Sequence, residues 1–162
     1  MQERDIYLAG GCFWGVEKYL SLVPGVLNTR AGYANSKIPN PSYQQVCSGD
    51  SGAVETVHCL YDQAVLRLDE LLFMYFDIID PTSIDRQAND IGSQYRTGIY
   101  YTEASDADVV QACLFELAIR YQQPIVVENQ MLGSFYAAED YHQSYLDKNP
   151  QGYCHLPIDM FL

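Results

Sequence analysis

The sequence predicts an α+β domain: helices laid on a mixed β-sheet, with long segments of coil. Three observations point there. The chain has 162 residues, of which 48% are hydrophobic and 13% aromatic, enough apolar material for one sizeable core without staples. Strand-like and helix-like segments interleave, with no internal repeat, low-complexity tract or shift in composition that would divide the chain. Two long polar stretches interrupt them, unlike the short regular connections of a doubly wound parallel sheet.

In chain order, residues 6–9 read as a short strand, followed by Gly10-Gly11 and a helix running to about Leu22, where Pro24-Gly25 stops it. A second strand is expected over 26–33. Residues 34–51 are rich in Pro, Asn, Ser and Gly, the composition of irregular structure. Period-two alternation predicts a strand over 54–61. The densely apolar stretch 68–79 predicts a helix, with Asp69 at its start and Asp80-Pro81 at its end. Residues 81–96 carry little periodicity and read as loop, and 97–101 as strand. A helix is expected over 105–122, opened by a capping-box-like Ser105-x-x-Asp108, with Val110, Cys113, Leu114, Leu117 and Tyr121 on one stripe. A strand over 125–127, a last helix over 132–147 and a Pro/Gly-bearing tail over 149–162 complete the reading.

Charge and cysteine content narrow the function classes. Acidic residues outnumber basic ones 21 to 9, a formal net charge of −12. Such a surface repels phosphate backbones and anionic membranes, so neither nucleic acid nor membrane is an expected partner. The longest purely apolar run, 71–76, is far too short to span a bilayer, and the charged start Met1-Gln2-Glu3-Arg4-Asp5 does not read as a signal peptide. Five cysteines, an odd number in a chain able to fold without disulfides, predict a reducing compartment, the cytoplasm. No Cys-x-x-Cys pair occurs, and His58-Cys59 and Cys154-His155 are adjacent residues, a poor spacing for tetrahedral chelation, so no metal site is expected.

Cys12 is the candidate nucleophile. It follows a strand and two glycines and opens a helix, where the positive end of the helix dipole and free N–H groups favour a thiolate. The glycines allow a sharp turn that leaves the sulfur accessible. Phe13 and Trp14, the latter the chain's one tryptophan, are placed to wall an apolar pocket. A cysteine is by default a small buried hydrophobe, and Cys59 and Cys113 read that way. Cys47 has no partner signal. Cys154, in Gly152-Tyr153-Cys154-His155, is either an incidental surface thiol or a second thiol delivered by the tail.

Glu55 shares one side of its strand with Val57, Cys59 and Tyr61. If that side faces a cleft, desolvation raises its pKa into the range a general acid needs; if it lies at a strand edge, it is an ordinary solvated carboxylate. Tyr43 and Tyr95 lie in the two long loops, among 14 tyrosines, most of which serve packing. Asp90 is by default a turn former. His142 falls on the stripe Phe135, Ala138, His142, Tyr145 of the last expected helix, where a satisfied, partly buried histidine is the ordinary outcome.

Taken together, these motifs resemble the A-type peptide methionine sulfoxide reductases. The resemblance starts with Gly11-Cys12-Phe13-Trp14-Gly15 and continues through Gly32-Tyr33, the stretch from Tyr43 to Gly49, Glu55, Asp80-Pro81-Thr82 and Arg86 to Arg96. It takes in Ile99-Tyr100-Tyr101, resumes at Ala138 to Gln143, and ends with Lys148-Asn149-Pro150 to Cys154. These blocks keep the family's order over nearly the whole chain.

The resemblance implies a two-layer, ferredoxin-like α/β sandwich and a single catalytic domain over 1–162, with 145–162 as a mobile tail carrying the recycling cysteine. It implies that Cys12 attacks the sulfoxide sulfur, Glu55 protonates its oxygen, and Tyr43 and Tyr95 hydrogen-bond that oxygen. Phe13 and Trp14 would hold the substrate methyl group, and Asp90 the substrate's backbone amide. The Cys12 sulfenic acid would be resolved by Cys154 as a disulfide and reduced by thioredoxin, or by dithiothreitol in vitro. The implied substrates are the S epimer of free methionine sulfoxide and oxidised proteins; no bound cofactor is implied, and a monomer is expected. The chain departs from the pattern at Asn35-Ser36, where relatives often have Gly-Gly, and at Ala53, where they often have His. It also lacks the further recycling cysteine that some relatives carry near the C-terminus. Two other classes compete: a binder of oxidised methionine that uses the aromatic pocket alone, and a different thiol enzyme such as a peroxidase or Cys-His hydrolase.

Overall fold

Apolar alternation places β1 (Glu3–Ala9) with Ile6 and Leu8 wholly buried, and this strand is near the centre of the sheet. The computed structural model describes residues 1–157. After β1 come α1 (Phe13–Ser21), β2 (Val26–Ala34), α2 (Tyr43–Cys47), β3 (Val54–Asp62) and α3 (Leu68–Phe76). A two-stranded hairpin follows, β4 (Arg86–Gln87) and β5 (Asp90–Ile91), then β6 (Gly98–Tyr101), α4 (Asp106–Ala118), β7 (Glu128–Met131), β8 (Phe135–Ala137) and α5 (Tyr145–Lys148).

The main sheet has the order β7-β6-β1-β3-β2-β8. Its pairs are antiparallel except β6 with β7. Its inner four strands, with α1 and α3, form a βαββαβ unit in the spatial order fourth-first-third-second, the ferredoxin-like arrangement. Strand registers set Leu8 opposite Val57 and Tyr33 opposite Glu55. One core lies between the sheet and α1, α3 and α4, uniting Ile6, Leu8, Val57 and Tyr61 with Val16, Leu20, Leu71, Leu72, Val110 and Leu117. Truncating a wholly buried leucine such as Leu71 costs about 2–5 kcal/mol. Cys59 and Cys113 lie in this core, 0% and 4% exposed.

Several expectations need correction. Residues 132–147 are not a helix. Phe135–Ala137 instead pairs with the open edge of β2, Ser144 adopts a left-handed φ of 51°, and only Tyr145–Lys148 is helical. The helical spacing of Phe135, Ala138 and His142 yields to main-chain hydrogen bonding along a free strand edge. The strand expected over 125–127 begins instead at Glu128, alongside β6. The helix over 105–122 ends at Ala118, and Ser105 makes no side-chain cap; Asp106 and Asp108 sit in the first turn instead. On α3, Glu70 rather than Asp69 closes the start, accepting the Arg67 N–H at 3.0 Å.

The two coil segments contain short elements. Ser42 caps α2, its Oγ accepting the Gln45 N–H at 3.2 Å while Gln45 Oε1 accepts the Ser42 N–H at 2.8 Å. Asn35 has a φ of 58°, a conformation asparagine tolerates, and its Oδ1 accepts the N–H groups of Gly133 and Ser134 at 2.8 and 3.3 Å.

Candidate active site

The site is built on the turn between β1 and α1. Gly11 has a φ of +82°, which a β-carbon would strain. Three successive main-chain N–H groups then fan out to three residues on two segments. Gly11 donates to the Tyr95 carbonyl at 3.2 Å, Cys12 to Asp90 Oδ2 at 3.2 Å, and Phe13 to Glu55 Oε1 at 3.1 Å. These N–H groups at a helix start have no partner within the helix; here two acids and a carbonyl satisfy them. The turn thereby gathers β3 and the loop over 81–96 around Cys12.

Glu55 lies on the helix-facing side of β3 and is 1% exposed, the buried one of the two alternatives that the alternation left open. Burial raises its pKa to about 8, opposed by the Phe13 N–H and reinforced by the charge of Asp90. Its Oε2 has no hydrogen-bond partner, so one oxygen is held and the other is free. At neutral pH this carboxyl is largely protonated, a proton donor in an apolar surround.

The expectation of a resting thiolate at Cys12 needs correction. The thiol is 6% exposed, and burial, followed by the charges of Glu55 and Asp90, pushes its pKa up; the Trp14 N–H pulls it down without prevailing. Desolvation outweighs the helix terminus here. The proton held on Glu55 removes one of the two opposing charges.

An aromatic wall stands beside this pair. Phe13 is wholly buried, against Tyr33 at 5.7 Å and His142 at 5.2 Å between ring centroids. Trp14 stacks on Tyr145 at 3.8 Å and 12°, and its Nε1–H donates to His142 Nδ1 at 3.0 Å. Burial lowers the His142 pKa, which favours the neutral ring; its Nε2 has no partner. His142 is thus a wall of the site in a 3₁₀ turn, Asp140–His142, not part of a helical stripe. The Tyr43 ring lies 4.5 Å from the His142 ring, while its main chain is fixed by Glu139 Oε2, which accepts the Tyr43 N–H at 3.1 Å. Burial, then the charge of Glu55, raises the pKa of both Tyr43 and Tyr95, and Tyr95 also feels Cys12. Both hydroxyls therefore keep their protons and are able to donate.

The tail segment closes the other side. Tyr153 donates its hydroxyl to Asp90 Oδ1 at 2.6 Å. The His155 ring is 2% exposed, with Nδ1 3.4 Å from Asp90 Oδ2. Cys154 lies against α1 at Gly15 and opens on a groove of about 430 Å³ lined by Lys18, Leu146, Asp147, Pro150, Gly152 and Leu156. Residues 158–162 of the expected tail lie outside the described residues. All eight residues singled out in the sequence, Cys12, Phe13, Trp14, Tyr43, Glu55, Asp90, Tyr95 and Cys154, surround this one helix start. Sequence reasoning missed Tyr145, Tyr153 and His155; adjacency to Cys154 was the one signal for the last two. Among the described residues no group of three or more His, Cys, Asp or Glu side chains is placed to hold a metal ion. No helix among them is long and apolar enough to cross a membrane.

The profile of the family described as peptide methionine sulfoxide reductase matches residues 4–162. The chain belongs to that family. It is 52% identical over 153 residues to the peptide methionine sulfoxide reductase MsrA of Lachnoclostridium phytofermentans, covering 94% of this chain and 92% of the relative, so the reductase is of the A type. Among solved structures, the reduced form of Mxr1 from Saccharomyces cerevisiae superposes with a TM-score of 0.89 at 36% identity, covering 94% of this chain and 89% of the yeast one. The same yeast protein, solved in complex with Trx2, matches at 23% identity with a TM-score of 0.63, covering 89% and 85%, a likeness of fold. The reductase is therefore an oxidoreductase with the mixed α/β fold of its relatives.

Proposed function

We propose that the chain reduces the S epimer of methionine sulfoxide, free or in oxidised proteins, as a cytoplasmic repair enzyme that acts against oxidative damage. One observation carries the reading: a buried carboxyl, Glu55, with a pKa raised to about 8 and one free oxygen, held against the same helix start as the Cys12 thiol.

The substrate methyl group rests against Phe13 and Trp14, and the substrate amide donates to Asp90. Tyr43 and Tyr95 donate hydrogen bonds to the sulfoxide oxygen. Cys12 sulfur attacks the sulfoxide sulfur while Glu55 passes its proton to the oxygen. The proton leaving the Cys12 thiol restores Glu55, which also relieves the like charge that opposes a thiolate. The substrate's sulfur–oxygen bond and the new sulfur–sulfur bond then break as the oxygen becomes bonded to Cys12 sulfur; methionine departs and Cys12 is left as a sulfenic acid. Cys154 sulfur then displaces that oxygen as water, forming a disulfide. An external dithiol exchanges with the disulfide and returns both thiols. A protein reductant of the thioredoxin class is supported by the yeast relative's complex with Trx2, and dithiothreitol serves in vitro. The chemistry is complete with thiols and a carboxyl, and no bound cofactor takes part.

Incubation with the separated sulfoxide epimers and dithiothreitol tests this. Consumption of the S epimer alone is expected, with no methionine from Cys12→Ser and about one methionine per chain from Cys154→Ser when reductant is withheld. Repeated turnover by Cys12→Ser, or use of the R epimer, overturns it.

A further inference from the structure

The two glycines that bracket Cys12 differ in backbone conformation but share one property. A β-carbon on Gly11 would lie 2.8 Å from His155 Nε2, 2.9 Å from Gln87 Cβ and 3.1 Å from His155 Cε1. A β-carbon on Gly15 would lie 2.9 Å from Cys154 Sγ, and 3.4 Å from His155 Cε1 and Nδ1. The missing side chains thus leave a slot on each flank of Cys12 into which two consecutive tail residues pack, beside Gln87 at the Gly11 slot. Gly15 has no positive φ and lies inside α1, where glycine costs helix stability relative to alanine. Helix formation therefore does not explain it.

The His155 ring fills the space between the two glycines and is 2% exposed, yet neither ring nitrogen completes a hydrogen bond. Asp90 Oδ2 lies 3.4 Å from its Nδ1, and the Gly10 main chain is a second polar neighbour. The same Asp90 carboxylate accepts the Cys12 N–H and the Tyr153 hydroxyl. One carboxylate therefore ties the nucleophile's turn to the residues on both sides of Cys154. The incomplete contact of His155 suits a segment that must leave when substrate or reductant arrives.

We infer that Gly11 and Gly15 form a two-sided seat for the tail, and that His155, held by Asp90, is the positioning residue that directs Cys154 at Cys12. The inference rests on Cys154 being the recycling thiol. His155 does not touch the substrate; it acts through Cys154 by limiting where that sulfur can go. The step it serves forms the Cys12–Cys154 sulfur–sulfur bond, breaks the sulfur–oxygen bond of the Cys12 sulfenic acid, and releases water with the proton of the Cys154 thiol.

The test separates the two half-reactions. Parent, Gly15→Ala, His155→Ala and His155→Asn proteins are mixed with one equivalent of methionine S-sulfoxide without reductant. Methionine release, the disulfide, and sulfenic acid trapped by dimedone are each followed in time. In Gly15→Ala the first methionine is expected at the parent rate and the melting temperature at or above the parent's. Its disulfide should form at least roughly tenfold more slowly, with dimedone adduct accumulating on Cys12. In His155→Ala disulfide closure should also slow by roughly tenfold, the effect of one lost polar contact. His155→Asn keeps a donor at the position of Nδ1 and should recover most of that loss, which a merely space-filling role would not allow. Disulfide closure at the parent rate in Gly15→Ala and His155→Ala overturns the inference, as does an asparagine variant no better than alanine. A parent protein that releases no methionine or forms no Cys12–Cys154 disulfide instead overturns the proposed function.

Discussion

The site has two halves of different origin. On one side stand Cys12, Phe13 and Glu55, carried by the β1–α1 turn and by β3 at the centre of the sheet. On the other stand Tyr43, Asp90, Tyr95 and the Tyr153–His155 tail, carried by short elements and coil. The strand-borne acid is 1% exposed with an unpartnered oxygen. The loop-borne acid spends its two oxygens on a main-chain N–H and a tyrosine hydroxyl. Regular structure here supplies the group whose chemistry depends on dehydration. Coil supplies groups whose value lies in hydrogen bonds they can exchange.

That contrast is open to breakage. Glu55→Gln should give the largest effect, about 10²- to 10⁴-fold on the first-turn rate, the usual worth of a positioned general acid. The parent rate should fall as pH rises through about 8, where Glu55 loses its proton, and the glutamine variant should lack that limb; a limb unchanged in the variant would assign it elsewhere. The same acid should lower stability when charged. The folded state holds its proton up to about 8 and the unfolded chain only to its ordinary 4.5, so the parent loses stability as pH climbs across that window. Melting curves of Glu55→Gln should be flatter over that window and higher at its upper end. An intermediate effect belongs to the coil: Tyr95→Phe should cost about tenfold in the first-turn rate, one hydrogen bond's worth, with an unchanged melting temperature. A large loss of stability instead would place Tyr95 with the scaffold. Cys113→Ala should be the mildest, lowering stability by about 1 kcal/mol and leaving turnover within about twofold, as read by denaturant unfolding and by steady-state assay.

The two halves also differed in how far the sequence revealed them. Period-two alternation, which a strand dictates locally, set Glu55 on one side with Val57, Cys59 and Tyr61, and only the burial of that side decided between cleft and solvated edge. Two glycines before Cys12 announced its turn for the same local reason. By contrast, nothing in the spacing of Tyr153, Cys154 and His155 says that they pack onto Gly11 and Gly15, well over a hundred residues away in the chain. Family resemblance marked Cys154 without its neighbours. The error over 132–147 has a similar cause: the pattern of Phe135, Ala138 and His142 fits a helix, and only the open edge of β2 turns the segment into a strand. The raised pKa of Cys12 was missed because the helix terminus is visible in the sequence, whereas the burial of the sulfur, and after it the two acids converging on it, are not.

Trp14, the one tryptophan among 14 tyrosines, stacks on Tyr145 and donates to His142 within this wall. The protein therefore carries its own optical reporter. Indole emission arises from a single place, fed by energy transfer from the surrounding phenols, and needs no attached dye. Any event that parts Trp14 from Tyr145 or puts an oxidised sulfur beside it will change brightness and colour together, so that the reaction can be watched in real time in the unlabelled protein.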